Sequence, residues 1–220
     1  PHHFLKKDDR ISVVELVQSS TLEVQSSNPP ELSIIAETDE YLVIDKSSGV
    51  VVHPGVMHES DTIVDALRAK YPQIEGVGDD PVRPGIVHRL DKDASGLMLI
   101  AKTQESFDSL KKQFKTRKIK KQYVILVHGH VEPREGLINI PLKRSTKSYL
   151  KYVASPHDGR EALTQYFVEQ YFMHYTLVRV EPQTGRTHQI RVHFFAKGYP
   201  IVGDTMYTKK DLKKIEGARL

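Results

Sequence analysis

Val87-His88-Arg89-Leu90-Asp91-Lys92-Asp93-Ala94-Ser95-Gly96-Leu97-Met98-Leu99-Ile100-Ala101 is the stretch that decides how the rest of this chain is read. A charged segment, His88 to Asp93, passes through Ser95-Gly96 into an apolar run, Leu97 to Ala101. Ser-Gly is turn punctuation. The run has strand length and is apolar on both faces, so the expectation is a buried central strand. Charges held at the mouth of a rigid sheet are well placed for chemistry. A charged loop ahead of a strand is usually just a solvated connection, so the decision passes to the flanking sequence.

Composition sets the bounds. At 220 residues the chain has room for one ordinary domain with a small appendage and a real hydrophobic core. A net charge of +4 with a sequence pI near 9.1 is compatible with nucleic-acid binding. There is no cysteine, so disulfides and thiolate metal sites are excluded, as suits a reducing, cytoplasmic setting. No run of eighteen apolar residues marks a membrane span. The first residue is Pro1 rather than Met, and the expectation is that the natural N-terminus is missing.

Upstream of the opening stretch, Ser26-Ser27-Asn28-Pro29-Pro30 reads as a linker that separates residues 1–30 from 31–220. Leu5 to Val13 has the pattern of a turn and a short strand. Ile34 to Glu37 and Tyr41 to Lys46 read as two strands around Thr38-Asp39-Glu40. In Lys46-Ser47-Ser48-Gly49-Val50-Val51-Val52-His53-Pro54-Gly55, Gly49 and Pro54 shape turns and His53 is expected to be structural. Residues 61–70 read as a helix with Ser60 or Asp61 as N-cap, ended by Tyr71-Pro72. Three Pro and three Gly in residues 72–85 predict a long loop leading to His88.

Downstream, Thr103 is placed to cap a helix over 104–115 whose buried stripe is Phe107, Leu110 and Phe114. Its end carries Lys111, Lys112, Lys115, Arg117, Lys118, Lys120 and Lys121 with no acid among them. Such a run is either a solvated face or a phosphate contact, which supplies affinity rather than sequence choice. Tyr123 opens an apolar strand, and further short strands are expected around 136–140, 149–153, 162–170 and 174–180. Turn signals between them imply a mostly antiparallel sheet. Lys143, Arg144, Lys147 and Lys151 add positive charge to one connection. Thr187 could cap a helix from His188 to about Lys197, with His188, Arg191 and Phe195 on one face. His188 and His193 are five apart, not the spacing that sets two ligands on one helical face, so no metal site is expected.

Several of these segments resemble, in order, the signature motifs of the RluA/RluD family of RNA pseudouridine synthases. His88-Arg89-Leu90-Asp91 with Ser95-Gly96-Leu97 matches one motif, with Ala94 where the family usually has Thr. Lys46 to Pro54 resembles another, with Ser47 in place of Pro. Lys121-Gln122-Tyr123 is similar to a third, and Thr184-Gly185-Arg186-Thr187-His188-Gln189-Ile190-Arg191-Val192-His193 matches a fourth completely. Pro200 to Tyr207, with Gly203-Asp204, resembles a last motif whose expected role is to turn the chain against the sheet. The segment Leu5 to Val13 is similar to the tail of an S4-type RNA-binding domain, which makes residues 1–30 a linker or a remnant of such a module. Family members continue past Leu220 with another strand, so an incomplete C-terminus is expected.

The resemblance implies an α+β fold: a mixed, mostly antiparallel, bisected sheet flanked by helices, with a central active-site cleft. It implies isomerisation of uridine to pseudouridine, in which the base leaves the ribose at N1, turns and rejoins through C5, with no cofactor. Ribosomal RNA is the expected partner and tRNA the second candidate, for a monomer with no membrane association. Of two rival carboxylates, Asp91 and Asp93, the resemblance selects Asp91 as catalytic. Arg191 is the expected cation beside it, because burial alone would raise a carboxyl pKa. Tyr123 is expected to pack on the flipped-out base, and Arg89 to fill the vacated stack or hold the displaced partner. His88, Arg186, His188, Lys118, Lys120 and Lys121 complete the expected RNA contacts. Two other readings stay open: a non-catalytic RNA-binding protein that kept the fold, and a hydrolase using His88 and Asp91.

Overall fold

A computed structural model describes residues 28–55 and 60–212. The Leu5 to Val13 strand, the S4-like remnant and the final residues 217–220 lie outside the described residues.

Strands β1 (Ser33–Glu37) and β2 (Tyr41–Lys46) form the expected hairpin. Thr38 Oγ1 accepts the backbone N–H groups of Glu40 and Tyr41 and so tightens its turn. β3 (Gly96–Ala101) pairs antiparallel with β2, giving a sheet ordered β1-β2-β3. The expected central strand is therefore an edge strand, met on its free side by an isolated bridge between Ile86 and Ile100 and by a hydrogen bond from Leu99 N–H to His88. Its apolar run is one-sided as well. Met98 and Ile100 are fully buried, whereas Leu97 is 62% exposed. An unbroken apolar run does not reveal which of its faces is covered, because side chains alternate across a strand whatever their type.

Helix α1 (Ile63–Lys70) packs Ile63 and Leu67 beneath this sheet with Leu42, Ile44, Met98 and Ile100. Its N-cap is Thr62, not Ser60 or Asp61. Asp61 adopts φ 59°, while extended Thr62 accepts from Asp65 N–H and the Asp65 carboxylate accepts from Thr62 N–H. This reciprocal pair satisfies two otherwise orphaned backbone donors. α2 (Gln104–Lys115) begins at Thr103 as expected and buries Phe107. The loop between α1 and β3 holds a single 3-10 turn, Pro72–Ile74.

The second half contains β4 (Tyr123–His128), β5 (Glu135–Asn139), the short pair β6 (Leu142–Arg144) and β7 (Tyr152–Ala154), then β8 (Leu163–Tyr171), β9 (Tyr175–Pro182) and α3 (Gln189–Ala196). β4-β9-β8-β5 form one sheet, and β6-β7 form a separate ribbon. Every ladder among the described residues is antiparallel, so the expected mixed sheet is more uniform than anticipated. Bisection is real: the two larger sheets are separately hydrogen-bonded, each with its own apolar core. Tyr123 packs against both cores and so marks their junction.

Candidate active site

The loop bearing Asp91 is pinned from below. Lys46, the last residue of β2, is 1% exposed, and its ammonium donates to the carbonyls of Ser47 (2.8 Å), Val50 (2.9 Å) and Lys92 (3.0 Å). Burial holds its pKa below the usual lysine value, opposed by the charges of Asp93 and Asp91. Gly49 N–H donates to the same Lys92 carbonyl, and Ser48 Oγ donates to the Asp93 carbonyl. A buried ammonium needs such a full set of acceptors, and here the set welds the Ser47–Val50 turn to the Asp91 loop. From the other side, His88 Nε2 accepts the N–H of Leu99 on the free edge of β3 at 2.9 Å. The His88 ring lies 4.6 Å from that of Phe114 on α2, and burial depresses its pKa to about 4. His88 lines the cleft as a neutral ring whose Nε2 is already engaged.

Arg191, on α3, reaches this loop across 100 residues of sequence, with Nη1 3.3 Å from Asp91 Oδ2. Two more of its donors go to Asp204: Nε to Oδ2 at 2.7 Å and Nη2 to Oδ1 at 2.9 Å. The Asp204 side chain is 4% exposed, against 26% for Asp91. Burial pushes the Asp204 carboxyl up, but Arg191 and the N–H groups of Tyr207 and Met206 outweigh it and hold it below the ordinary carboxylate value. Burial opposes the charge on Arg191 too, and the two aspartates more than offset it. The guanidinium is thus a fixed cation with a fixed plane.

The start of α3 differs from the expectation. His188 adopts a left-handed φ of 55° and makes no side-chain cap, Thr187 is not the N-cap, and the helix begins at Gln189. Gln189 organises this entry instead. Its carbonyl oxygen accepts from Thr184 Oγ1 and Arg186 N–H, and its amide donates to the Leu163 carbonyl and Thr164 Oγ1. All four hydrogen-bonding positions of the buried amide are filled. His193, fully buried one turn further, joins the same network through Thr164 Oγ1 and the Ile140 carbonyl. The expected face of His188, Arg191 and Phe195 forms around Tyr207. The His188 and Phe195 rings lie 5.7 and 5.8 Å from the Tyr207 ring, and Arg191 lies 5.1 Å from it.

These elements enclose a cavity of about 880 Å³ whose wall includes Asp91, Tyr123, Arg191, Arg89, His188 and Arg186. Tyr123 is half-buried, and burial together with the nearby Asp91 charge raises its pKa, so it presents a neutral phenol. Arg89 is exposed and held by His53: His53 Nδ1 lies 2.9 Å from the Pro54 carbonyl and Nε2 3.1 Å from Arg89 Nη1. The first contact requires a proton on Nδ1 and leaves Nε2 to accept from Arg89. Asp93 also lines the cavity and is exposed; Arg191 reaches Asp91. A second cavity of about 490 Å³ is lined by Lys115, Arg117, Lys120, Lys121 and Arg186, of which Lys115, Lys121 and Arg186 are shared with the first. Lys118 is exposed outside both linings, and Lys111 pairs with Asp79. Lys121 Nζ lies 3.4 Å from the Thr184 carbonyl.

Sequence reasoning missed two charged residues of this site, Lys46 and Asp204. Gly203-Asp204 does turn the chain against β4, through Val202 N–H to the Leu126 carbonyl, but Asp204 also orients Arg191. A Lys at the buried end of an apolar strand was the available signal for the first. The second stood in a motif read as structural, and nothing local to it indicated the contact with Arg191.

A carboxylate against a fixed cation, with a phenol in the same cleft between two antiparallel half-sheets, defines a site competent for covalent or proton-transfer chemistry. The chain belongs to the RNA pseudouridylate synthase family, whose model matches residues 40–196. It is 40% identical over 188 residues to "Ribosomal large subunit pseudouridine synthase D" of Blochmanniella floridana, covering 84% of this chain and 57% of that protein. It is 43% identical over 177 residues to the protein of the same name in Pseudomonas aeruginosa, covering 80% and 53%. An uncharacterized RNA pseudouridine synthase of Synechocystis is 39% identical over 206 residues, covering 93% and 62%. The chain thus spans between 53 and 62% of the length of these three relatives. Among solved structures it resembles human RNA pseudouridylate synthase domain containing 1, with a TM-score of 0.66 and 27% identity over 84% of this chain and 72% of the other.

Proposed function

We propose that residues 31–220 form the catalytic domain of an enzyme that converts uridine to pseudouridine in RNA. The observation that carries this reading is the Asp91–Arg191 pair, joined across the cleft in a cavity that also holds Tyr123. The target base is extruded from its stack at a cost of a few kcal/mol. Arg89, exposed on the cavity wall and held by His53, takes the space it leaves. The neutral Tyr123 ring packs on the uracil. Asp91, held against the Arg191 guanidinium, acts as nucleophile or base while the N1–C1′ bond breaks, the ring turns and C5 bonds to C1′. The proton lost from C5 is balanced by one gained at N1, so the reaction consumes no co-reactant.

Ribosomal RNA is the favoured substrate, since relatives at about 40% identity carry names of large-subunit ribosomal synthases; tRNA ranks second. The linked cavities, with Lys115, Arg117, Lys120, Lys121 and Arg186 on their walls, suit a phosphate backbone. A monomer acting in the cytoplasm is consistent with this chemistry. Asp91→Asn tests the proposal. The variant is expected to fold and bind RNA like the wild type while forming no pseudouridine in uridine-containing transcripts. Retained turnover would reject the mechanism, and an inactive wild type would favour a purely RNA-binding protein.

A further inference from the structure

Arg144 on β6 and Tyr149 in the β6-β7 turn belong to neither the core nor the cleft lining, whereas Tyr152 on β7 packs against the Leu142 core cluster. Arg144 lays its guanidinium carbon 4.1 Å from the Tyr149 ring centroid and 5.5 Å from that of Tyr152, and donates to the Tyr152 hydroxyl at 3.3 Å. The Tyr152 ring lies 5.9 Å from His188, which lines the cavity. A chain of contacts through His188, Tyr152, Arg144 and Tyr149, edge-on between the first two, therefore runs from the cavity wall to the ribbon tip. Tyr149 is 67% exposed, so with a guanidinium over one face its other face is open. The tip is stiff. Ser145 N–H donates to the Lys151 carbonyl, and Lys151 N–H to the Ser148 carbonyl. It is also tied to the turn that holds Arg191, because Lys151 Nζ donates to the Met206 carbonyl at 2.6 Å and Tyr152 N–H to the Tyr207 hydroxyl at 2.9 Å.

We propose that Tyr149 and Arg144 form a stacking platform for an unpaired nucleotide neighbouring the target uridine, so that the substrate segment is single-stranded. This deepens the RNA-modifying reading and rests on it. A pre-ordered ring with one open face binds any base by its π surface, whereas bases inside a duplex have no free face to offer. Because the tip and the Arg191 turn share hydrogen bonds, a base seated on Tyr149 is held in register with Asp91.

The test is equilibrium binding of a short fluorescein-labelled oligouridylate and of a blunt RNA duplex of equal length. Tyr149→Ala and Arg144→Ala are expected to weaken oligouridylate binding about tenfold. Tyr149→Phe should retain wild-type affinity, and Tyr149→Ala should leave duplex affinity at the wild-type value. Unchanged oligouridylate binding by Tyr149→Ala overturns the platform, as does equal loss on the duplex, a loss in Tyr149→Phe as large as in Tyr149→Ala, or a wild type that does not bind the probe. Coincident thermal unfolding of all the proteins shows that the exposed substitutions leave the fold intact. Pseudouridine formation does not enter this readout, so a failed platform and a failed isomerase are told apart.

Discussion

Asp204 grips Arg191 with both carboxylate oxygens, at 2.7 and 2.9 Å, and thereby aims the remaining Nη1 at Asp91, 3.3 Å away. The two aspartates have unequal roles. Asp204 is nearly sealed from solvent and anchored by the N–H groups of Met206 and Tyr207, so it sets the guanidinium plane. Asp91 receives one longer bond and keeps a quarter of its side chain exposed to the cavity.

Asp204→Asn removes a buried charge whose partner stays behind. Breaking a buried pair in this way destabilises by on the order of 3 kcal/mol. Asp91→Asn, at the more open end, should cost about 1 kcal/mol or less. Urea denaturation of both variants checks the ordering. The loss of pseudouridine formation should be large in both, because Arg191 loses its aim in the first. An Asp204→Asn protein as stable and active as the wild type would remove Asp204 from the site.

His88 makes stability depend on pH. Its folded-state pKa lies near 4 against an ordinary value of 6.5, so between these values the unfolded chain binds the extra proton. Stability is therefore full above about pH 6.5 and falls as pH drops towards 4, by an amount on the order of 3 kcal/mol. The cause is burial, and a protonated Nε2 could no longer accept from Leu99 N–H. Denaturation midpoints at pH 7 and pH 4.5 should differ clearly in the wild type and less in His88→Gln. Equal pH sensitivity of the two proteins would show that other groups govern the acid limb.

Lys115, Arg117 and Lys120 are exposed along the second cavity. If they meet phosphates, replacing all three with Ala lowers the slope of log affinity against log salt concentration by about 2 for single-stranded RNA. Measurement of oligouridylate binding across a salt series decides this. A slope equal to that of the wild type would mean that the run is only a solvated face.

Much of the local structure was legible in the residues. The β1-β2 hairpin, the Thr103-capped α2 and strands β4, β5, β8 and β9 follow from turn residues, capping hydroxyls and apolar periodicity, which act over a few positions, whereas β6 was read as a connection and β7 starts at Tyr152 rather than Tyr149. The errors were of two kinds. Thr62 displaced Ser60 and Asp61 as the cap of α1, and His188 displaced Thr187 at the entry to α3, because backbone torsion and not residue type sets where each helix begins. β3 proved to be an edge strand because strand order depends on what packs alongside, and nothing in Leu97 to Ala101 encodes that.

The identities of Asp91, Tyr123 and Arg191 as site candidates came from the sequence alone, since motif residues keep their order along the chain. Arg191 was expected beside Asp91; that Asp204 orients it and that the Lys46 ammonium locks the loop beneath were decided only by the tertiary structure. The physical reason is range. Caps and turns are settled between neighbours, but a buried charge is stable only where distant segments deliver its partners, and only the packed core determines which segments those are.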